Sequence, residues 1–142
     1  MESMLESIAD GILYHVHFDR ARREEREADE RRRKHLAYRR DLQEKRQQRE
    51  IARQEFLQSL ADDQREAIEL RKTIDGASKL LSEAGPEYRG MIDWARLRLQ
   101  VLESRNELEV LSGMLKEQNL FPDPDDLFDP EGDPPPKTGY WD

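Results

Sequence analysis

The sequence contains no cysteine, which excludes disulfides, thiolate metal sites and a cysteine nucleophile. Proline is almost missing until the end of the chain, where six of the seven prolines lie at or beyond residue 122. No apolar run approaches the roughly 18 residues that a bilayer span requires. The start, "MESMLESIADG", is acidic and interrupted by Asp10, unlike a secretory signal. Together these absences predict a cytoplasmic protein with no membrane partner.

Signatures of catalysis are missing too. There is no glycine-rich phosphate loop, no nucleophile elbow and no HExxH motif. The many carboxylates sit in polar stretches, whereas general acid–base chemistry needs them in a desolvated pocket. Histidine is scarce, with His15, His17 and His35 the whole set. His15 and Asp19 share a helical face, but His17 points about 200° away from His15, and a stable metal site takes three or four ligands. The expectation is no enzymatic activity, no catalytic residue, no metal and no cofactor.

Charge, in contrast, is abundant. Charged residues make up 39% of the chain and hydrophobic ones 35%, a balance suited to elongated helices rather than a compact globule. The net charge of −8 is unevenly spread: residues 20–53 carry 14 basic and 8 acidic side chains, the remainder 10 and 24. The pattern is a basic rod between acidic ends.

Four segments follow. In residues 1–18, Leu5, Ile8, Ile12 and Val16 recur at helical spacing and form one apolar face. A helix this short is marginal in water without a covering surface. Residues 19–55 form a charged helical rod. Acids precede bases by four residues at Glu27–Arg31, Asp29–Arg33, Glu30–Lys34 and Asp41–Lys45, the orientation that supports a solvated helix. Residues 56–118 are predicted as a helical hairpin with its turn near 84–87. Leu60, Ala67, Ile74 and Leu81 repeat every seven residues, and extending this register backwards meets Arg53, Arg46, Arg39 and Arg32. Gly85 is expected to close the first helix as a left-handed cap and Pro86 to open the second. The second helix carries two apolar faces. One holds Trp94, Leu97 and Val101; the other holds Met91, Ile92, Ala95, Leu99 and Leu102. Trp94 is read as core. "SRNE" at 104–107 offers a capping box and a second stop. Residues 119–142 form an acidic, proline-rich tail, disordered or extended.

The fold class expected is all-α and elongated: a long charged helix leading into an antiparallel, coiled-coil-like hairpin, then the tail. The candidate partner contacts are Leu5, Ile8, Ile12 and Val16, with Phe121, Phe128, Tyr140 and Trp141 as aromatic or apolar anchors in the tail. Docking of the tail onto the basic rod is one version, since arginine meets both carboxylates and ring faces. The candidate nucleic-acid contacts are Arg31, Arg32, Arg33, Lys34, Arg39 and Arg40, which would track phosphates in a salt-dependent way. Interleaved acids along the same helix weigh against that second reading.

The order of "MLESIADGI", "RARREEREADERRRKHLAYRR", "FLQSLADDQREAIELRKTI" and "MIDWARLRLQVLE", over about residues 4–103, resembles the C-terminal charged-helical region of uncharacterised bacterial proteins. Typical members carry an N-terminal helix-turn-helix-like segment, which has no counterpart in these 142 residues; the acidic tail also departs from the group. The resemblance implies a bacterial cytoplasmic setting near DNA transactions and transfers no catalytic residue. The expected function is a non-catalytic interaction or oligomerisation module with a protein partner or itself, most simply a homodimer. The alternative is a nucleic-acid-binding accessory protein using the arginine-rich helix, modulated by the tail.

Overall fold

Helix formers without a break dictate the first element. Between Gly11 and Gly76 there is neither glycine nor proline, and the computed structural model, which describes residues 2–139, shows one helix across that whole interval. The described residues form three helices, α1 (Glu2–Ala77), α2 (Pro86–Arg105) and α3 (Leu108–Glu117). No strand occurs among the described residues, so the chain is all-α. The limits expected at 18 and 55 are changes of composition; the helical backbone runs through both.

Intrahelical ion pairs line α1. Lys34 meets Glu30 at 3.1 Å and Lys45 meets Asp41 at 2.7 Å, as the i,i+4 spacing predicts. Asp29 turns instead to Arg32, one residue short of the expected Arg33. Such exposed pairs contribute little individually; their number is what favours helix in a segment with no apolar stripe.

The end of α1 corrects the sequence reading. The helix stops at Ala77, and Gly85 is not its left-handed cap: it has φ −74° and ψ 172° and is the N-cap of α2, with Pro86 in that helix's first turn. The local reason lies upstream. Gly76 is a weak helix former, and the Ser78 hydroxyl donates to the Asp75 carbonyl at 2.7 Å. The backbone then tightens, with Leu80 N–H donating to Ala77 C=O at 2.9 Å and Glu83 N–H to Leu80 C=O at 3.2 Å. The second stop falls at "SRNE", but not as a capping box: α2 continues to Arg105, and the N-cap of α3 is Glu107, whose side chain makes no cap hydrogen bond.

Contacts group the described residues into two compact units, one comprising residues up to Lys45 with those from Leu127 onward, the other Arg46–Asp126. In the second, Ala67 and Ala77 of α1 and Ile92, Ala95 and Leu102 of α2 are buried, with Ile92 and Leu102 fully so. Ion pairs bracket this apolar strip. Glu66 accepts a two-pronged pair from Arg98 at 2.8 and 3.0 Å, Asp63 meets Arg105 at 3.2 Å, and Arg71 meets Glu103 at 2.6 Å.

Trp94 is the second correction. It is 67% exposed, and Leu97 and Val101 on the same face are exposed with it. Both faces of α2 are apolar, so periodicity alone does not choose between them. The charges do: turning the Ile92–Ala95–Leu102 face toward α1 is what brings Arg98 and Arg105 to one flank and Glu103 to the other, each against an opposite charge.

Candidate interaction surfaces

The tail does not leave α1 unaccompanied in either unit. In the unit Arg46–Asp126, α3 ends in a Schellman motif: the Asn119 N–H donates to Lys116 C=O and the Leu120 N–H to Leu115 C=O, both at 3.1 Å. Asn119 takes φ +52°, the left-handed conformation that asparagine tolerates better than most residues. This reversal buries Leu120, 2% exposed, and delivers its carbonyl to Arg53 Nε at 2.8 Å. The Arg53 guanidinium lies 4.5 Å from the centroid of the Phe121 ring, a cation–π contact. Arg49 then grips two successive carboxylates, Asp125 at 2.8 Å and Asp126. Asn119 also donates its side-chain amide to Asp126 at 3.0 Å.

In the other unit, "DPEG" at 129–132 is a turn by composition, with Asp first, Pro second and Gly fourth. The Gly132 N–H donates to Asp129 C=O at 3.1 Å, and the Glu131 N–H to Asp129 Oδ1 at 2.9 Å. Gly132 sits at φ +79°, where a side chain would be strained. The turn aims three acceptors at one cation. Arg39 Nε donates to Asp129 Oδ2 at 2.9 Å and lies 3.1 Å from Glu131, while its Nη2 donates to the Gly132 carbonyl at 3.1 Å. His35 Nε2 lies 2.8 Å from the Glu131 carboxylate. The Asp129 side chain is buried, so Arg39 offsets a charge that would otherwise be costly to desolvate.

These pairs shift ionisation. The hydrogen bond from Arg98 holds the Glu66 carboxyl below its ordinary range, and that from Arg49 does the same for Asp126. The hydrogen bond that Arg39 donates to Asp129 raises the pKa of Arg39. A carboxyl whose folded pKa is depressed stabilises the fold fully above its unfolded value, near 4, and loses that contribution as pH falls through the folded value. The urea midpoint of unfolding is therefore expected to be flat from about pH 7 to 5 and to fall below about pH 4. Glu66→Gln should remove part of that acid dependence; a midpoint unchanged from pH 5 to 3 in the parent protein would contradict the assignment.

The predicted nucleic-acid contacts are not one open patch. Arg32 is taken by Asp29 and Lys34 by Glu30, Arg39 is held by the tail, and Arg40 is half-buried and engaged. Arg31 and Arg33 are exposed. No family model, no curated protein and no solved structure matches the chain.

The N-terminal face is different. Leu5, Ile8, Ile12 and Val16 are all more than half exposed, and Met4, Leu13, Tyr14 and Phe18 stand out beside them. Tyr14 and Phe18 stack with centroids 6.4 Å apart, and Arg22 lies 5.5 Å from the Phe18 ring. In the tail, Phe121 is the anchor that finds a partner and Phe128 is exposed; Tyr140 and Trp141 lie outside the described residues. Among the described residues no three His, Asp or Glu side chains gather as a metal site, and no helix is long and apolar enough to cross a membrane. The contacts missed by sequence reasoning include His35, Arg49 and Arg53 on α1 and Asp125, Asp126, Asp129 and Glu131 in the tail. A signal for Arg53 was present, because it continues the heptad line of Leu60 and Ala67.

Proposed function

We propose that this chain is a non-catalytic helical interaction module that associates through the first turns of α1. One observation carries the reading: every described side chain from Ser3 to Glu27 is exposed, yet residues 4–18 include eight large apolar ones. A contiguous apolar surface of this kind marks an interaction site. The ion pairs flanking α1 and α2 support an antiparallel hairpin with a coiled-coil-like seam as the base of the module. The resemblance noted above supports a bacterial cytoplasmic setting. The test is a photo-crosslinking amino acid at position 8, with position 6 on the opposite helical face as control, in cells making the protein. A discrete adduct from position 8 alone is the expected result; no adduct, or the same smear from both positions, rejects the reading.

The nucleic-acid reading has one observation in its favour. Arg39, a predicted phosphate contact, is occupied by acidic groups of the tail, as a tethered competitor would be. It requires that deleting residues 119–142 produce binding to a labelled duplex with a steep salt dependence. No binding at low salt removes it.

A further inference from the structure

We infer that the partner of the N-terminal face is a second copy of this chain, bound antiparallel about a two-fold axis at Ile12. The inference rests on the proposed interaction module and names its partner. A two-fold interface must be self-complementary, and the centre of the stripe, Ile8, Ile12 and Val16, is. Ile8 and Val16 lie four residues to either side of Ile12; Leu5 and Asp19 lie three beyond them. Reversing the helix about Ile12 therefore sets Ile8 of one copy level with Val16 of the other and the two Ile12 side chains face to face, with Leu5 opposite Asp19 at each rim of the overlap.

Charge selects the same orientation. Residues 4–19 hold Glu6, Asp10 and Asp19 and no lysine or arginine; the bases begin at Arg20, Arg22 and Arg23. Asp19 lies on the line of the stripe, within about 20° of Ile12, so a parallel, in-register pair sets Asp19 level with Asp19 with no base in the overlap, and like charges at such positions repel. The antiparallel pair sets Arg20 of each copy on the same flank as Glu6 of the other and within one helical turn of it. The apolar stretch also ends where the charges begin, which limits the overlap to residues of this short segment and fits a partner helix of equal length.

The absence of cysteine makes the test direct, since a single introduced thiol reports only its own neighbour. In the full chain, light scattering is expected to give twice 16.8 kDa. Ile12→Cys should form an inter-chain disulfide on mild oxidation. Leu5→Cys should not do so alone but should cross-link when mixed with Asp19→Cys. Ile8→Asp combined with Ile12→Asp should weaken the dimer by roughly a hundredfold or more, with helix content retained. A Leu5→Cys homodimer shows parallel pairing and overturns the inference. So does a dimer unaffected by the two aspartates, because the copies then meet elsewhere. A monomer at every concentration overturns it as well. If position 8 still gives a discrete heterologous adduct in cells, that last result leaves the interaction module standing; if no adduct forms, both fail.

Discussion

Leu102→Ala is expected to lower the stability of the Arg46–Asp126 unit by about 2–5 kcal/mol, while Trp94→Ala on the same helix changes it by less than about 0.5 kcal/mol. Leu102 is fully buried. Its truncation removes the transfer energy of the lost methyl groups and leaves a cavity that α1 and α2 cannot close without breaking their flanking ion pairs. Trp94 is the larger residue and a stronger hydrophobe by composition, yet most of its surface already meets solvent, so little is lost. Urea unfolding followed by far-UV circular dichroism separates the two. Equal losses would mean that Trp94 is packed within the fold and that the assigned face of α2 is wrong.

Arg49→Met is the second large effect, expected at about 1.5–3 kcal/mol, the range of hydrogen bonds to charged groups. Methionine keeps most of the packing of the arginine stem and removes the guanidinium, so the measured loss reports the head group. The Arg49 side chain is 9% exposed, while its partners Asp125 and Asp126 are about half exposed. Released carboxylates therefore rehydrate, which keeps the cost below that of breaking a fully buried pair. Amide exchange of residues 120–126 should speed by about tenfold or more. Arg49→Lys should rescue only in part, since an ammonium lacks the planar fork that reaches two carboxylates. Unchanged exchange in Arg49→Met would show that Leu120 and Arg53 alone hold this segment.

The helical character of the chain was legible because its signals are local: spacing of apolar residues, i,i+4 charge pairs, and proline at the first turn of α2. The place where α1 ends was less legible. Gly85 is the conspicuous breaker, but a serine hydroxyl three residues beyond Asp75 competes for the helix's own carbonyl first. The packed face of α2 was not legible from periodicity, because Trp94–Leu97–Val101 and Ile92–Ala95–Leu102 are both regular. Only pairing with Asp63, Glu66 and Arg71, between 32 and 42 residues away, distinguishes them. The tail's acids were visible as composition. Their assignment to Arg39 and Arg49 depended on two reversals, the left-handed Asn119 and the "DPEG" turn. The second was present as a turn sequence, and the first rested on a residue that need not adopt φ > 0.

The arginines of α1 that hold residues 120–126 have a consequence for biosynthesis. Arg49 waits for a partner 76 residues further along the chain, and Arg53 for one 67 residues away. At ribosomal speeds of about 5–20 residues per second, that interval is roughly 4–15 s. An apolar seam exposed for so long on a nascent helix would invite any passing hydrophobic surface. Guanidinium groups remain hydrated through the delay and then meet their acceptors when residues 120–126 emerge. A face that must wait for its partner is thus built from side chains that water tolerates.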